Sequence, residues 1–553
     1  MLRRILPVLT LLALALAAAP AWSQPSKEKA ATAAEKKAPA MTFESALGRL
    51  KFRELGPAVM GGRLDDFAVV ESNPAIVYAG TASGGLWKTL NAGTTWTPVF
   101  DKEAVSSIGD VAVAPSDPSI VWVGTGEANN RQSSSWGNGV YRSTDGGLTW
   151  QNMGLKDTHH IGRIVIHPSN PEVVYVAAQG RLWGPNRERG LYKTSDGGRT
   201  WKQVLFVNED TGVTDVAMDP ASPDTLYAAA YQRRRTVFGF AGSGPDGGIH
   251  KSTDGGQTWK KLAKGLPWDP EPARPRPAGG PSAEMAAMLG ITPEEPPAPA
   301  ESKADPNKRS EIGRIGLAVY RKDPRIVYAV IEHEKGGTFR SEDRGETWTK
   351  MSDTNPRPMY YSQIVVDPTN DLRIWVMGAP MYTSEDGGKT FRTDLVQRIH
   401  VDNHAMWINP ANPDHMILGS DGGIHWSWDR GRTWDFVNNL AIGQFYELGV
   451  DMRQPYWIYG GLQDNNTWGG PSRTFNPRGI GNSDWVTVGG GDGFYAQVDP
   501  NDPTIVYAES QDGNLLRRDL RTGEQRSIRP QTAEGEKPFR FQWCSPVVIS
   551  AFD

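Results

Sequence analysis

The chain has 553 residues, among them 61 glycines, 20 tryptophans and a single cysteine, and it carries a net charge of −4. That length is enough for at least one large core domain. The lone Cys544 excludes an internal disulfide and a thiolate metal cluster, and the weak negative charge excludes the basic footprint of a nucleic-acid binder.

In chain order, Arg3 and Arg4 precede an apolar run from Leu6 to Ala19 and the small residues of APAWSQ. This is the pattern of a secretory signal peptide over 1–23, too short to span a bilayer. A Lys/Ala-rich stretch, 24–41, reads as a flexible linker. Export without disulfides places the mature chain in a bacterial periplasm or outside the cell, with no membrane span after cleavage.

From residue 42 onward one eight-residue signature, Ser/Thr-x-Asp-x-Gly-x-Thr-Trp, recurs seven times, starting at Thr89, Ser143, Thr194, Ser252, Ser341, Ser384 and Ser427. Asn91 replaces Asp in the first copy and Phe391 replaces Trp in the sixth. The Asp side chain can accept bonds from backbone N–H groups of a tight turn, and the glycine two residues on supplies positive φ. These carboxylates are therefore read as scaffold. Each octet follows two apolar strands separated by a Pro-containing turn, as in DVAVAPSDPSIVWVGTG from Asp110. Each unit thus reads as four strands, A to D, and the last three octets begin 43 residues apart, at 341, 384 and 427. Repeats of this kind predict an all-β fold, a β-propeller of four-stranded blades.

The octet-bearing units fill 42–440, interrupted at 265–310 by a Pro/Ala/Glu-rich insertion read as a disordered surface loop. Two units without octets follow within 441–553, from Leu448 and Ala496, and a tenth opens with SPVVISAFD. A blade cannot bury its faces alone, so the chain is expected to be the N-terminal part of a longer protein.

Strand parity puts the A–B turns and the octets on one rim, and the irregular B–C and D–A loops on the other, where function is expected. The B–C loops carry Glu127, Asn130, Arg131, Arg181, Trp183 and Gln463, and the D–A loops carry Tyr360, Tyr361, His400, Asp402 and His404. These are the candidate ligand-binding residues, since aromatic and polar mixtures suit a glycan or peptide. The HVDNH run could hold a metal, but alternate residues of a strand point apart, so no metal or cofactor is assigned. Asp421 and Asp464, on successive B–C loops, could form a paired-carboxylate glycosidase site, with Asp492 as a third candidate acid.

The octet resembles the Asp-box, or BNR repeat, of sialidases, sortilin-type receptors and xyloglucan-degrading glycoside hydrolases. Residues 50–553 resemble large secreted bacterial proteins with sortilin-like N-terminal repeats, often labelled glycosyl hydrolase. VDNHAMWINPANPDHMILGSDGGIHWSWDRGRTW and QFYELGVDMRQPYWIYGGLQDN carry that likeness. The resemblance implies fourteen blades in two seven-bladed rings, which would make this chain a seven-bladed propeller plus part of a second, while likeness to sortilin implies one ten-bladed ring as the alternative. In the xyloglucanase family a catalytic Asp precedes the first Gly-Gly; here Ala82 stands at that place, in AGTASGGLWK. Asp421, in LGSDGGIHWS, resembles such a position without its partner, and KFRELGP matches the sialidase signature only superficially. The expected function is therefore a binding module for a peptide, protein or polysaccharide ligand, with polysaccharide hydrolysis as the alternative.

Overall fold

A computed structural model describes residues 42–550 apart from 49, 52, 131–133, 270–310 and 397–398. The signal peptide, the linker, most of the insertion and Arg131 lie outside the described residues. The chain divides into a leading unit, Met1–Glu54, and a main unit, Leu55–Asp553. The described part of the first contains one short helix, Phe43–Leu47, capped by the Thr42 side chain.

The main unit is built almost wholly of antiparallel meanders, as an Asp-box propeller requires. Among the described residues nine principal sheets follow in chain order, at 64–98, 108–152, 161–205, 211–261, 315–352, 364–384, 403–436, 445–489 and 493–527, numbered here 1 to 9, with a small two-stranded ribbon at 234–241 between strands of sheet 4. All nine have four strands except sheet 6, which has three. There the fourth strand is reduced to a single bridge, Thr383 to Arg392. No strand forms in 528–550, so the expected opening of a tenth unit is not seen among the described residues. The described first residues of the predicted insertion are packed: Leu266 is buried in the core between sheets 4 and 5, and Trp268 donates to the Leu262 carbonyl at 2.7 Å.

The octets close their turns as their chemistry dictates. Asp145 Oδ1 accepts from the Leu148 and Thr149 amides at 3.0 and 2.9 Å, while Gly147 takes φ +86°. Asn91 builds the same turn, accepting from the Thr95 amide at 2.9 Å and donating through Nδ2 to the Thr95 hydroxyl. A second regularity joins neighbours. The strand-B tyrosine of one sheet reaches the octet of the next: Tyr78 donates to the Gly146 carbonyl, Tyr175 to Gly255 and Tyr227 to Arg344, each at 2.9 Å.

Apolar side chains fill every interval between successive sheets from 1 to 7. Val121 and Val123 pack with Tyr78, Ile161 with Trp122, Leu226 with Tyr175, and Val327 with Tyr227. Ile374 packs with Tyr328, and Leu418 with Trp375. Another cluster joins sheet 7 to sheet 1 through Ile417, Ile424, Leu64 and Phe67. Asn439, just past sheet 7, donates to the Gly93 and Thr94 carbonyls of the first octet. Sheets 8 and 9 share a separate core around Tyr459 and Val506.

The first strands of sheets 1 to 7 all line one cavity of about 150 Å³. Inside it Arg163 reaches Asp110 at 3.0 Å, Asp215 at 3.2 Å and Asp66 at 3.6 Å. These carboxylates also accept backbone amides of a neighbouring first strand, Val111 to Asp66, Ile164 to Asp110 and Leu317 to Asp215.

Candidate functional site

The residues proposed from sequence separate into two places. The first is centred on Arg63, immediately before the first strand of sheet 1. Its guanidinium meets Glu127 Oε1 at 2.6 Å, Asp421 Oδ1 at 2.8 Å and Asp464 Oδ2 at 3.3 Å. Glu127 follows strand B of sheet 2, Asp421 follows strand B of sheet 7 and Asp464 follows strand B of sheet 8. Gly126, at φ +90°, turns the chain into Glu127, and a Cβ there would lie 2.0 Å from the His159 carbonyl.

Burial divides these acids. Asp421 and Glu127 are enclosed, whereas the Asp464 side chain is 22% exposed and that of Asp402 is 14% exposed. Burial raises the cost of charge on Asp421, but Arg63 and His404, whose Nε2 lies 2.8 Å away, outweigh it and hold the carboxyl well below the usual range. Asp402 is shifted the other way, upward, by burial and by the neighbouring Asp421 charge. Tyr361 donates its hydroxyl to Asp402, and Arg357 stands 3.6 Å from the same oxygen. One carboxylate oxygen each from Asp402, Asp421 and Asp464 lies within 4.8 Å of the other two. Arg63 and Arg357 bring positive charge to this cluster, Arg63 against Asp421 and Asp464 and Arg357 against Asp402.

The remaining candidates near this centre support it. Asp492 Oδ1 accepts the Asp464 amide at 2.8 Å, and Gln463 donates to Asp464 Oδ2 at 3.1 Å. His400, half-buried, lies with Nε2 3.0 Å from the Asp464 carbonyl and packs on Gly422, where a Cβ would come within 2.4 Å of its ring. Tyr360 and Tyr361 do not offer their rings to a ligand: both are buried and pack against His404. Ala82 is buried beside this centre, its amide donating to the Arg63 carbonyl at 3.1 Å.

The second place lies between the B–C loops of sheets 2 and 3. A cleft of about 810 Å³ is lined by Trp136, Asp157, His159, His160, Arg181 and Trp183, with two serines. Trp136 is 73% and Trp183 49% exposed. Beneath it, Arg189 is wholly buried and holds the loop by donating to the Arg181 and Gly184 carbonyls. Arg233, also buried, donates to Asn130 Oδ1 and the Gly180 carbonyl, so Asn130 serves this framework. The two places touch through His160, whose Nδ1 is 2.9 Å from the Glu127 carbonyl. Sequence reasoning missed Arg63 and buried Asp65, which accepts from Asn129 at 3.0 Å. No local motif marks either.

Comparison with known proteins agrees with this architecture. A family model described as sortilin, neurotensin receptor 3, matches residues 138–267. A xyloglucanase of a Paenibacillus species is 28% identical over 229 residues, covering 36% of this chain and 21% of that protein. A xyloglucanase of Hypocrea jecorina is 23% identical over 434 residues, covering 69% of this chain and 49% of that protein. The chain therefore spans between about a fifth and a half of these relatives. The crystal structure of the GH74 xyloglucanase from Xanthomonas campestris superposes with a TM-score of 0.51 at 15% identity, covering 86% of this chain and 74% of that one. Among the described residues no helix is long and apolar enough to cross a membrane. The chain is an Asp-box (BNR-type) repeat β-propeller related to xyloglucanases.

Proposed function

We propose that the chain is an extracellular glycoside hydrolase acting on a polysaccharide, with the seven sheets of 64–436 as its first closed ring. The observation that carries this reading is the pair Asp402 and Asp464. Both face solvent in part, and oxygens of the two lie no more than 4.8 Å apart, which favours the close pairing of a retaining glycosidase over the roughly 6.5–9.5 Å of an inverting one. Their surroundings differ as an acid and a nucleophile require. Burial and Asp421 favour the protonated form of Asp402, whereas Arg63 stands against Asp464. In this scheme Asp402 protonates the leaving glycosidic oxygen while the Asp464 carboxylate attacks the anomeric carbon. Water, deprotonated by Asp402, then releases the sugar. Similarity to xyloglucanases supports a xyloglucan-like substrate.

The test is hydrolysis of a polysaccharide panel, xyloglucan included. Asp464→Asn and Asp402→Asn are each expected to lower kcat by about 10²–10⁴-fold. The raised Asp402 should give kcat/KM a basic limb, activity falling as pH rises through its shifted pKa, and Asp402→Asn should remove that limb. Unchanged activity in both variants would sink the assignment. A second reading, ligand capture without turnover, is favoured by Ala82, which leaves the xyloglucanase acid position empty. Saturable binding with no product from any polysaccharide would decide for it.

A further inference from the structure

The cleft between sheets 2 and 3 carries chemistry that the Asp402–Asp464 pair does not use. Indoles as exposed as Trp136 and Trp183, sharing one concave surface, are poorly placed for folding energy but well placed to stack on the faces of sugar rings. The charge around them is lopsided. Arg181 is exposed in the cleft wall, and among the described residues its guanidinium has no hydrogen bond or ion pair. Buried guanidinium groups normally meet carboxylates. Arg189 and Arg233 instead donate to neutral oxygens, and the Nε atom of each is buried without an acceptor. Their bonds to the Gly180, Arg181 and Gly184 carbonyls place this charge directly under the loop that holds Trp183. His159 and His160 register the same field, both being shifted downward by burial and then by Arg181 and Arg233 respectively. Among the described residues that line the cleft Asp157 is the carboxylate, and Glu188 acts with it on His159.

We propose that this cleft is a binding subsite for a carboxylate-bearing oligosaccharide, its sugar rings stacked on Trp136 and Trp183 and its carboxylate held by Arg181. This rests on the polysaccharide reading above and adds to its xyloglucan-like backbone a preference for chains that carry acidic residues or branches. Neutral sugars would satisfy the indoles but leave the exposed Arg181 guanidinium unused.

The experiment is calorimetric titration of the full chain carrying Asp464→Asn, so that nothing is consumed. The probes are an oligogalacturonate, its methyl-esterified counterpart and a glutamate-rich peptide. The expected result is that the oligogalacturonate binds at least about tenfold more tightly than the ester. Arg181→Gln should abolish that difference, and Trp183→Ala and Trp136→Ala should weaken both sugars. Equal affinity for acid and ester, or acid binding indifferent to Arg181→Gln, would overturn the proposal. So would Arg181-dependent capture of the peptide alone, which would identify a peptide ligand. Hydrolytic assays separate this inference from the catalytic one. Preference for the acid without turnover in the unmutated chain would leave the subsite standing and remove the hydrolase, whereas turnover of neutral xyloglucan with no acid preference would do the reverse.

Discussion

Arg63 binds acids that lie 64, 358 and 401 residues further along the chain. Its loss would leave Glu127 buried without its guanidinium partner and Asp421 buried with His404 alone, because neither can reach water. Breaking a buried ion pair from one side costs about 3–5 kcal/mol. Arg63→Met is therefore expected to lower unfolding free energy by about that much in guanidinium titrations. Asp464→Asn, which removes the most exposed partner, should cost under about 1 kcal/mol. A loss at Arg63 no larger than at Asp464 would show that the centre is solvated. These separations also explain what could be read from the sequence. Asp421, Asp464, Asp402 and His404 stood out because each follows or opens a recognisable strand. Arg63 lies in GGRLDD, where nothing local sets it apart, and only the folded arrangement of sheets 1, 2, 7 and 8 reveals its partners.

At the level of the element, the octet owes its recurrence to a turn that is complete within eight residues, which is why it was legible at once. Sheet 6 shows the limit of that legibility. Its octet folds normally, with Thr390 donating to Asp386 at 2.9 Å. Phe391, however, has no indole N–H to match the bonds that Trp150 and Trp201 make to Val99 and Met153, and only a one-residue bridge follows. The octet carboxylates also predict acid sensitivity. Hydrogen bonds from Thr149 hold Asp145 down to about 2, and those from Thr200 do the same for Asp196. The unfolded chain binds these protons near the ordinary value of 3.8, so it takes up more protons than the fold between pH 4 and 2. The stabilisation is therefore full above about pH 4 and is lost as pH falls toward 2. Asp145→Ala should shrink this acid transition and lower Tm by about 1–3 °C. Asp145→Asn should keep most of the Tm, since Asn91 already builds the turn. Equal losses in the two variants would contradict the hydrogen-bond account.

For the molecule as a whole, the decisive seam is the one between sheets 7 and 1. Leu64 is fully buried there with Ile417 and Ile424, and Leu64→Ala should cost about 2–5 kcal/mol. If the seven sheets form one ring, opening this seam should speed amide exchange in all of them. Val506→Ala, in the separate core of sheets 8 and 9, should act only locally. Faster exchange confined to sheets 1 and 7 would argue against a single closed ring.

The Arg163 hub bears on how a long polymer would meet the proposed site. With one guanidinium tied to carboxylates of three other sheets inside a cavity of about 150 Å³, that cavity is filled by ion pairs and is not a tunnel. A tunnel must be threaded from a free end. Under the hydrolase proposal a strand would instead lie across the loops that carry Asp402 and Asp464, met anywhere along its length, its two ends remaining far from the site.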